Sequence, residues 1–90
     1  MAALDLLGRR WALRVLWELR DGPLGFRELR TRCDGMSSSV LSDRLGELTA
    51  AGLVAKDKSD RHALTKLGRD LGIAIEPLTA WSQRWARQMG

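Results

Sequence analysis

Residues 26–48 read FRELRTRCDGMSSSVLSDRLGEL, from Phe26 to Leu48, and the reading of this stretch decides the fold. Phe26, Leu29 and Cys33 recur at helical spacing and share one face, while Arg27, Arg30 and Arg32 point elsewhere. Asp34-Gly35 supplies a turn. A second helix then starts with Ser37 as its cap, because a serine hydroxyl accepts from the free N–H groups of a first turn. Met36 before the cap and Leu41 at the fourth helical position form a hydrophobic staple. Leu41, Leu45 and Leu48 make the buried stripe, and Gly52 marks the end. Two short helices joined by a tight turn are the expected unit.

Working outward, Trp11 to Arg20 reads as a preceding helix. Ala12, Val15, Leu16 and Leu19 form its core stripe, with Leu6, Leu13 and Trp17 off that stripe. A helix apolar on two faces contacts two things, here its own core and a partner. Asp21-Gly22-Pro23 ends it. On the other side, Leu53–Asp57 and Arg61–Leu64 read as two short strands joined at Lys58-Ser59-Asp60. Thr65 caps a last helix carrying Leu67, Leu71, Ala74, Leu78, Trp81 and Trp85. Spacings alternating between four and three make the seam of a helix packed on another helix. Pro77 falls inside this helix and is expected to kink or break it. The order helix, helix, helix, hairpin, helix is a mainly α fold with a small β-hairpin (α+β), a winged helix-turn-helix layout.

Three stretches carry a family resemblance. The first is Leu4-Asp5-Leu6-Leu7-Gly8-Arg9-Arg10-Trp11, continuing to Leu19-Arg20-Asp21-Gly22-Pro23. The second is Phe26-Arg27-Glu28-Leu29-Arg30 with Met36-Ser37-Ser38-Ser39-Val40-Leu41-Ser42-Asp43-Arg44-Leu45 and Glu47-Leu48. The third is Gly52-Leu53-Val54 with Ala63-Leu64-Thr65-Lys66-Leu67-Gly68. In this order they resemble the HxlR family of bacterial winged-helix regulators, and match the related MarR-like regulators less closely. The resemblance implies a dimeric transcription factor joined through its terminal helices. It implies a recognition helix at 37–51, a wing at 53–64 and a dimerisation helix at 65–89 of a single domain spanning 1–90. The chain departs from the family's pattern in three ways. The wing is short, Ser39 and Gly46 stand where basic residues are common, and no cysteine precedes Leu4-Asp5.

Composition fits this reading. Ninety residues make one domain, and the chain is 44% hydrophobic and 29% charged, an ordinary globular mix. The net charge of +4 favours a polyanionic partner, double-stranded DNA first. The first residues lack a signal-peptide pattern and no apolar run is long enough for a membrane span, so a cytoplasmic protein without a membrane partner is expected. With Leu41, Leu45 and Leu48 buried, the opposite face of 37–51 carries Ser39, Asp43 and Gly46, flanked by Ser42 and Glu47. This helix holds one cation, Arg44, against Asp43 and Glu47. Phosphate contacts are therefore expected from Arg27, Arg30 and Arg32, and from Lys56, Lys58 and Arg61 in the hairpin, with Ser37, Ser38, Ser39, Ser42, Asp43 and Arg44 at or near bases.

Four tryptophans stand out. Trp11, Trp17, Trp81 and Trp85 are read as core and dimer packing, with a planar hydrophobic effector between first and last helices as the sharper alternative. Cys33 is read as a buried small hydrophobe rather than a redox sensor. One Cys and one His, distant in sequence, give no metal pattern, and His62 is read as a packing residue. No catalytic set and no phosphate loop is present, so neither enzymatic activity nor a cofactor is expected. The expected function is a homodimeric DNA-binding regulator, acting as a repressor on a pseudo-palindromic operator. The alternative is a winged-helix ligand-binding or protein-interaction module with weak or no DNA binding.

Overall fold

A computed structural model describes residues 11–90. Leu6 and the Leu4–Arg10 part of the resemblance lie outside the described residues. The chain forms α1 (Ala12–Glu18), α2 (Phe26–Arg32), α3 (Ser38–Ala50), β1 (Val54–Lys56), β2 (His62–Leu64) and α4 (Lys66–Met89).

The ends of α3 are set by local chemistry. The Ser37 hydroxyl accepts from the Val40 N–H at 3.2 Å, which satisfies one donor of the first turn. At the other end Gly52 takes φ 79°, and the N–H groups of Gly52 and Leu53 donate to Thr49 and Leu48 carbonyls at 3.0 Å each. That pattern needs a residue at ease in left-handed space, hence the glycine. Leu53 then passes straight into the hairpin. β1 and β2 are antiparallel, pairing Val54 with Leu64, Ala55 with Ala63 and Lys56 with His62. The N–H of His62 also donates to Leu24 O at 2.8 Å and that of Leu24 to His62 O at 2.9 Å, tying the hairpin to the α1–α2 connection. A two-stranded hairpin is marginal alone, so this third contact steadies it.

One core joins these parts. Val15, Leu16 and Leu19 of α1 and its end meet Leu29, Cys33, Met36, Leu41, Leu45, Leu48, Leu53 and Val54. Leu13 and Trp17 remain exposed, as their position off the α1 stripe predicts. Phe26 does not join Leu29 and Cys33 as expected. It sits at the first position of a short helix, where the chain has not yet turned inward, and is 37% exposed.

The last helix is not broken at Pro77 but continues through it for 24 residues. Of the seam expected to pack on another helix, Leu71 packs against the core, while Leu67, Leu78, Trp81 and Trp85 are each more than half exposed. Gly68 is where α4 meets the hairpin. A Cβ on Gly68 would fall against the backbone of Leu53, with Leu53 C only 3.1 Å away. No described helix is long and apolar enough to cross a membrane.

Candidate nucleic-acid interface

α3 presents Ser38, Ser39, Ser42, Asp43 and Gly46 on its exposed side. Small side chains there let a helix approach base edges closely. The capping hydroxyl of Ser37 lies 3.3 Å from that of Ser39, so the first turn is already bonded to itself. Arg44 does not extend outward. Its guanidinium lies 3.5 Å from the Glu47 carboxylate and its side chain is only 16% exposed.

The basic flank on α2 sits beside the start of α3. Arg27, Arg30, Thr31, Gly35, Met36 and Ser37 line a shallow hollow of about 560 Å³. Arg30 Nε donates to the Met36 carbonyl at 3.5 Å, which holds that arginine against the turn. The Ser37 end of α3 carries unpaired N–H groups and the positive end of the helix dipole, so anions are favoured there.

The wing is the second flank. Its tip is built by Asp57, whose Oδ1 accepts from the Ser59 and Arg61 N–H groups at 2.8 and 3.0 Å. Its Oδ2 accepts from Arg61 Nε at 3.2 Å. The backbone N–H of Arg61 above all, with that of Ser59 and the Arg61 guanidinium, holds the Asp57 carboxyl below the ordinary carboxylate range, although desolvation opposes the shift. Lys56 Nζ lies 3.3 Å from Asp60 Oδ1. Lys58 is exposed at the tip. The structure brings Arg27 and Arg30 beside Ser37 and Lys56 beside Ser42, while Lys58 and Arg61 are exposed at the tip of the wing. It holds Arg44, Lys56 and Arg61 in ion pairs. Asp57 and Asp60 were missed in the sequence reading, although Asp-Lys-Ser-Asp-Arg is a turn signal with carboxylates four residues from cations.

Between the flank and α3 runs a cleft of about 690 Å³, lined by Phe26, Ser42, Leu45, Gly46, Thr49, Ala50, Lys56, Asp60 and His62. This accounts for the exposure of Phe26. His62 is buried, its Nδ1 has no hydrogen-bond partner, and burial followed by Lys56 pushes its pKa down, with Asp60 and Asp57 opposing. Burial pushes the Cys33 thiol up. Among the described residues no three His, Cys, Asp or Glu are placed to hold a metal ion.

An exposed polar helix between a basic helix and a short hairpin, on a core closed by a long terminal helix, now has known counterparts. Residues 6–89 match the family described as HxlR-like helix-turn-helix. The chain belongs to that family. Like other HxlR chains it has a winged helix-turn-helix fold. It superposes on the quinone-bound YodB of Bacillus subtilis with a TM-score of 0.85 and 30% identity, covering 92% of this chain and 93% of that one. A protein of Thermoplasma volcanium described as a possible HxlR family transcription factor gives a TM-score of 0.85 at 28% identity, over 93% of this chain and 81% of the other. In sequence, the HTH-type transcriptional regulator YvaP of Bacillus subtilis is 29% identical over 89 residues, 92% of this chain and 82% of YvaP. The relatives of this HxlR chain are regulators rather than enzymes.

The tryptophans do not gather into one pocket. Trp11 packs at the edge of the core with φ 78°, Trp17 is 44% exposed with Arg20 stacked 3.8 Å over its ring, and Trp81 and Trp85 stack with centroids 6.3 Å apart far along α4. Trp17 alone lines the groove of about 290 Å³ between α1 and α4, with Leu16, Arg20, Arg69, Gly72, Ile73 and Glu76 among its neighbours.

Proposed function

We propose that this protein is a homodimeric transcriptional regulator that binds a pseudo-palindromic duplex with α3 in the major groove. The observation that supports the reading is the exposed serine face of α3, with Arg27 and Arg30 beside Ser37 and the wing's Lys56 beside Ser42. Phosphate contacts from the flanks fix the register, and close approach of the small side chains reads the bases. The open seam of α4 supports a dimer: Leu78, Trp81, Trp85 and Met89 are a large apolar patch for a chain of this size. In such a dimer, two α3 helices entering successive major grooves stand about 34–36 Å apart, one turn of duplex. Occupying an operator in this way blocks other proteins from it, which is repression.

The test is a selection of duplexes from a random pool, followed by anisotropy titrations across salt concentrations and sedimentation to read the mass. Salt-sensitive binding by a dimer is expected, weakened by Arg27→Ala and by Lys58→Ala, with Trp81→Ala/Trp85→Ala giving monomer. A monomeric wild type without salt-sensitive duplex binding refutes the reading.

A planar apolar effector is favoured by the α1–α4 groove. A Cβ on Gly72 would meet nothing within 4 Å, so a helix-weakening glycine keeps that space open without any packing need. Quinone binding by a relative of the same fold fits a small-molecule signal. Gly72→Leu fills the groove and is expected to abolish quenching of Trp17 fluorescence by an added naphthoquinone; quenching equal to that of the wild type refutes this site.

A further inference from the structure

The cleft between α3 and the wing holds a charge pair whose carboxylate the DNA reading does not use. Lys56 and Asp60 both line it, facing Ser42 and Thr49 of α3 across the gap. A duplex backbone running beside Ser42 passes over them. Lys56 Nζ sits 3.3 Å from Asp60 Oδ1, and both side chains are largely exposed.

The carboxylate of Asp60 is not needed to build the turn. Asp57 closes it through its own side chain. The backbone closes it again, with Asp57 N–H donating to Arg61 O at 2.8 Å and Asp60 N–H to Asp57 O at 3.1 Å. Asp60 does stand at φ 63°, a left-handed position. Asparagine and glycine take that conformation as readily. An aspartate there is therefore explained by its charge, and the charge is spent on Lys56.

We propose that Asp60 sets the specificity of DNA binding by withholding Lys56 from phosphate until a duplex is seated in this cleft. The inference rests on the DNA-binding reading above. Loose complexes with random duplex are held almost entirely by cation–phosphate attraction. A cation already paired adds little to them, and its carboxylate repels the backbone. On the operator, base contacts from α3 hold a phosphate close enough for Lys56 to change partners. The pair suits that exchange, because an exposed ion pair is weak in water and opens readily.

Asp60→Asn tests this, since it keeps the left-handed turn and removes only the charge. Affinities are measured for wild type, Asp60→Asn, Lys56→Gln and the double variant, on a duplex selected by the protein and on a scrambled duplex of equal composition. Asp60→Asn is expected to bind scrambled duplex about three- to tenfold more tightly. The log–log salt slope steepens by up to about two per dimer, one phosphate contact for each protomer. Selected duplex gains less than about twofold, so the ratio of selected to scrambled affinity falls. In the Lys56→Gln background most of the gain disappears, leaving only the part due to relieved carboxylate–phosphate repulsion. Asp60→Gly has the same backbone freedom and gives the same result. The inference is overturned if scrambled binding does not change, if both duplexes gain equally, if the gain survives loss of Lys56 undiminished, or if Asp60→Gly differs from Asp60→Asn. Absence of duplex binding by the wild type overturns the DNA reading and this inference with it. Binding by the wild type together with an unchanged Asp60→Asn overturns this inference alone.

Discussion

Gly68 and Gly72 stand one turn apart on α4, and alanine at the two positions is expected to act in opposite directions. At Gly72 a methyl group meets nothing within 4 Å. Only the helix preference is left, and exchanging a helical glycine for alanine gains about 1 kcal/mol. At Gly68 the same gain meets the Leu53 backbone, which lies within contact of the added Cβ. To make room, α4 must move off the start of the hairpin. That move strains two anchors: the Thr65 N–H donating to Leu53 O at 3.0 Å and the Thr65 hydroxyl donating to Gly52 O at 2.6 Å. Each such bond contributes about 1 kcal/mol net, and forcing a methyl into packed structure costs about 1–3 kcal/mol. After the helix gain of about 1 kcal/mol is subtracted, Gly68→Ala should lose about 2–4 kcal/mol. For a domain of this length that is about 10–20 °C in Tm, against a rise of about 4–8 °C for Gly72→Ala. Urea unfolding followed by tryptophan fluorescence and circular dichroism reads both, at matched protein concentrations because association adds to apparent stability. Equal shifts for the two variants, or a Gly68→Ala as stable as the wild type, would refute the packing argument.

Three further outcomes are expected. Ser37→Ala removes the acceptor for the Val40 N–H and should cost about 1 kcal/mol, while Ser37→Asp retains the cap; thermal unfolding of the two variants measures the difference. His62 is held below its ordinary value of 6.5, so the unfolded chain takes up a proton first as pH falls. Stability should be full above 6.5 and decline below it towards the folded-state pKa, a slope lost in His62→Gln when urea midpoints are compared at several pH values. Cys33 is fully buried with a raised pKa, so a disulfide reagent such as Ellman's should react with it only after denaturant is added; rapid reaction with the native protein contradicts the burial.

How much of this was legible follows from the range of each interaction. The α2–α3 unit could be read because its signals are local: a serine cap, a glycine stop, and Leu41, Leu45 and Leu48 at helical spacing. All three leucines are buried as that spacing demands. The hairpin was legible to within a residue or so at each strand end for the same reason. Phe26 was misread because a periodic pattern cannot tell a core wall from the wall of a cleft that only forms when the wing folds against α3. Pro77 was expected to interrupt α4, yet the helix continues past it. The four tryptophans were expected in core or dimer packing; Trp17 lines the grooves between α1 and α4, while Trp81 and Trp85 stack on one another, half-exposed, farther along α4.

The charge is the most misleading global property. The chain carries +4, yet residues 26–64, which supply every candidate DNA contact, hold seven cations against six anions. The rest of the excess lies on the segments before and after them. Within 26–64, Arg44, Lys56 and Arg61 are each taken by a neighbouring carboxylate. Among the described residues, Arg27, Arg30, Arg32 and Lys58 of that stretch are in no ion pair. A surface with so few uncommitted cations gains little from a random polyanion, because sequence-blind affinity comes almost wholly from cation–phosphate contacts. On the proposed reading its hold on DNA comes from fit: a serine-edged helix that enters a groove closely, and paired side chains that change partners when that fit is achieved. A basic pI on this chain is therefore a poor guide to its affinity. The placement of its aspartates is a better one, because they decide which of its cations a phosphate can reach.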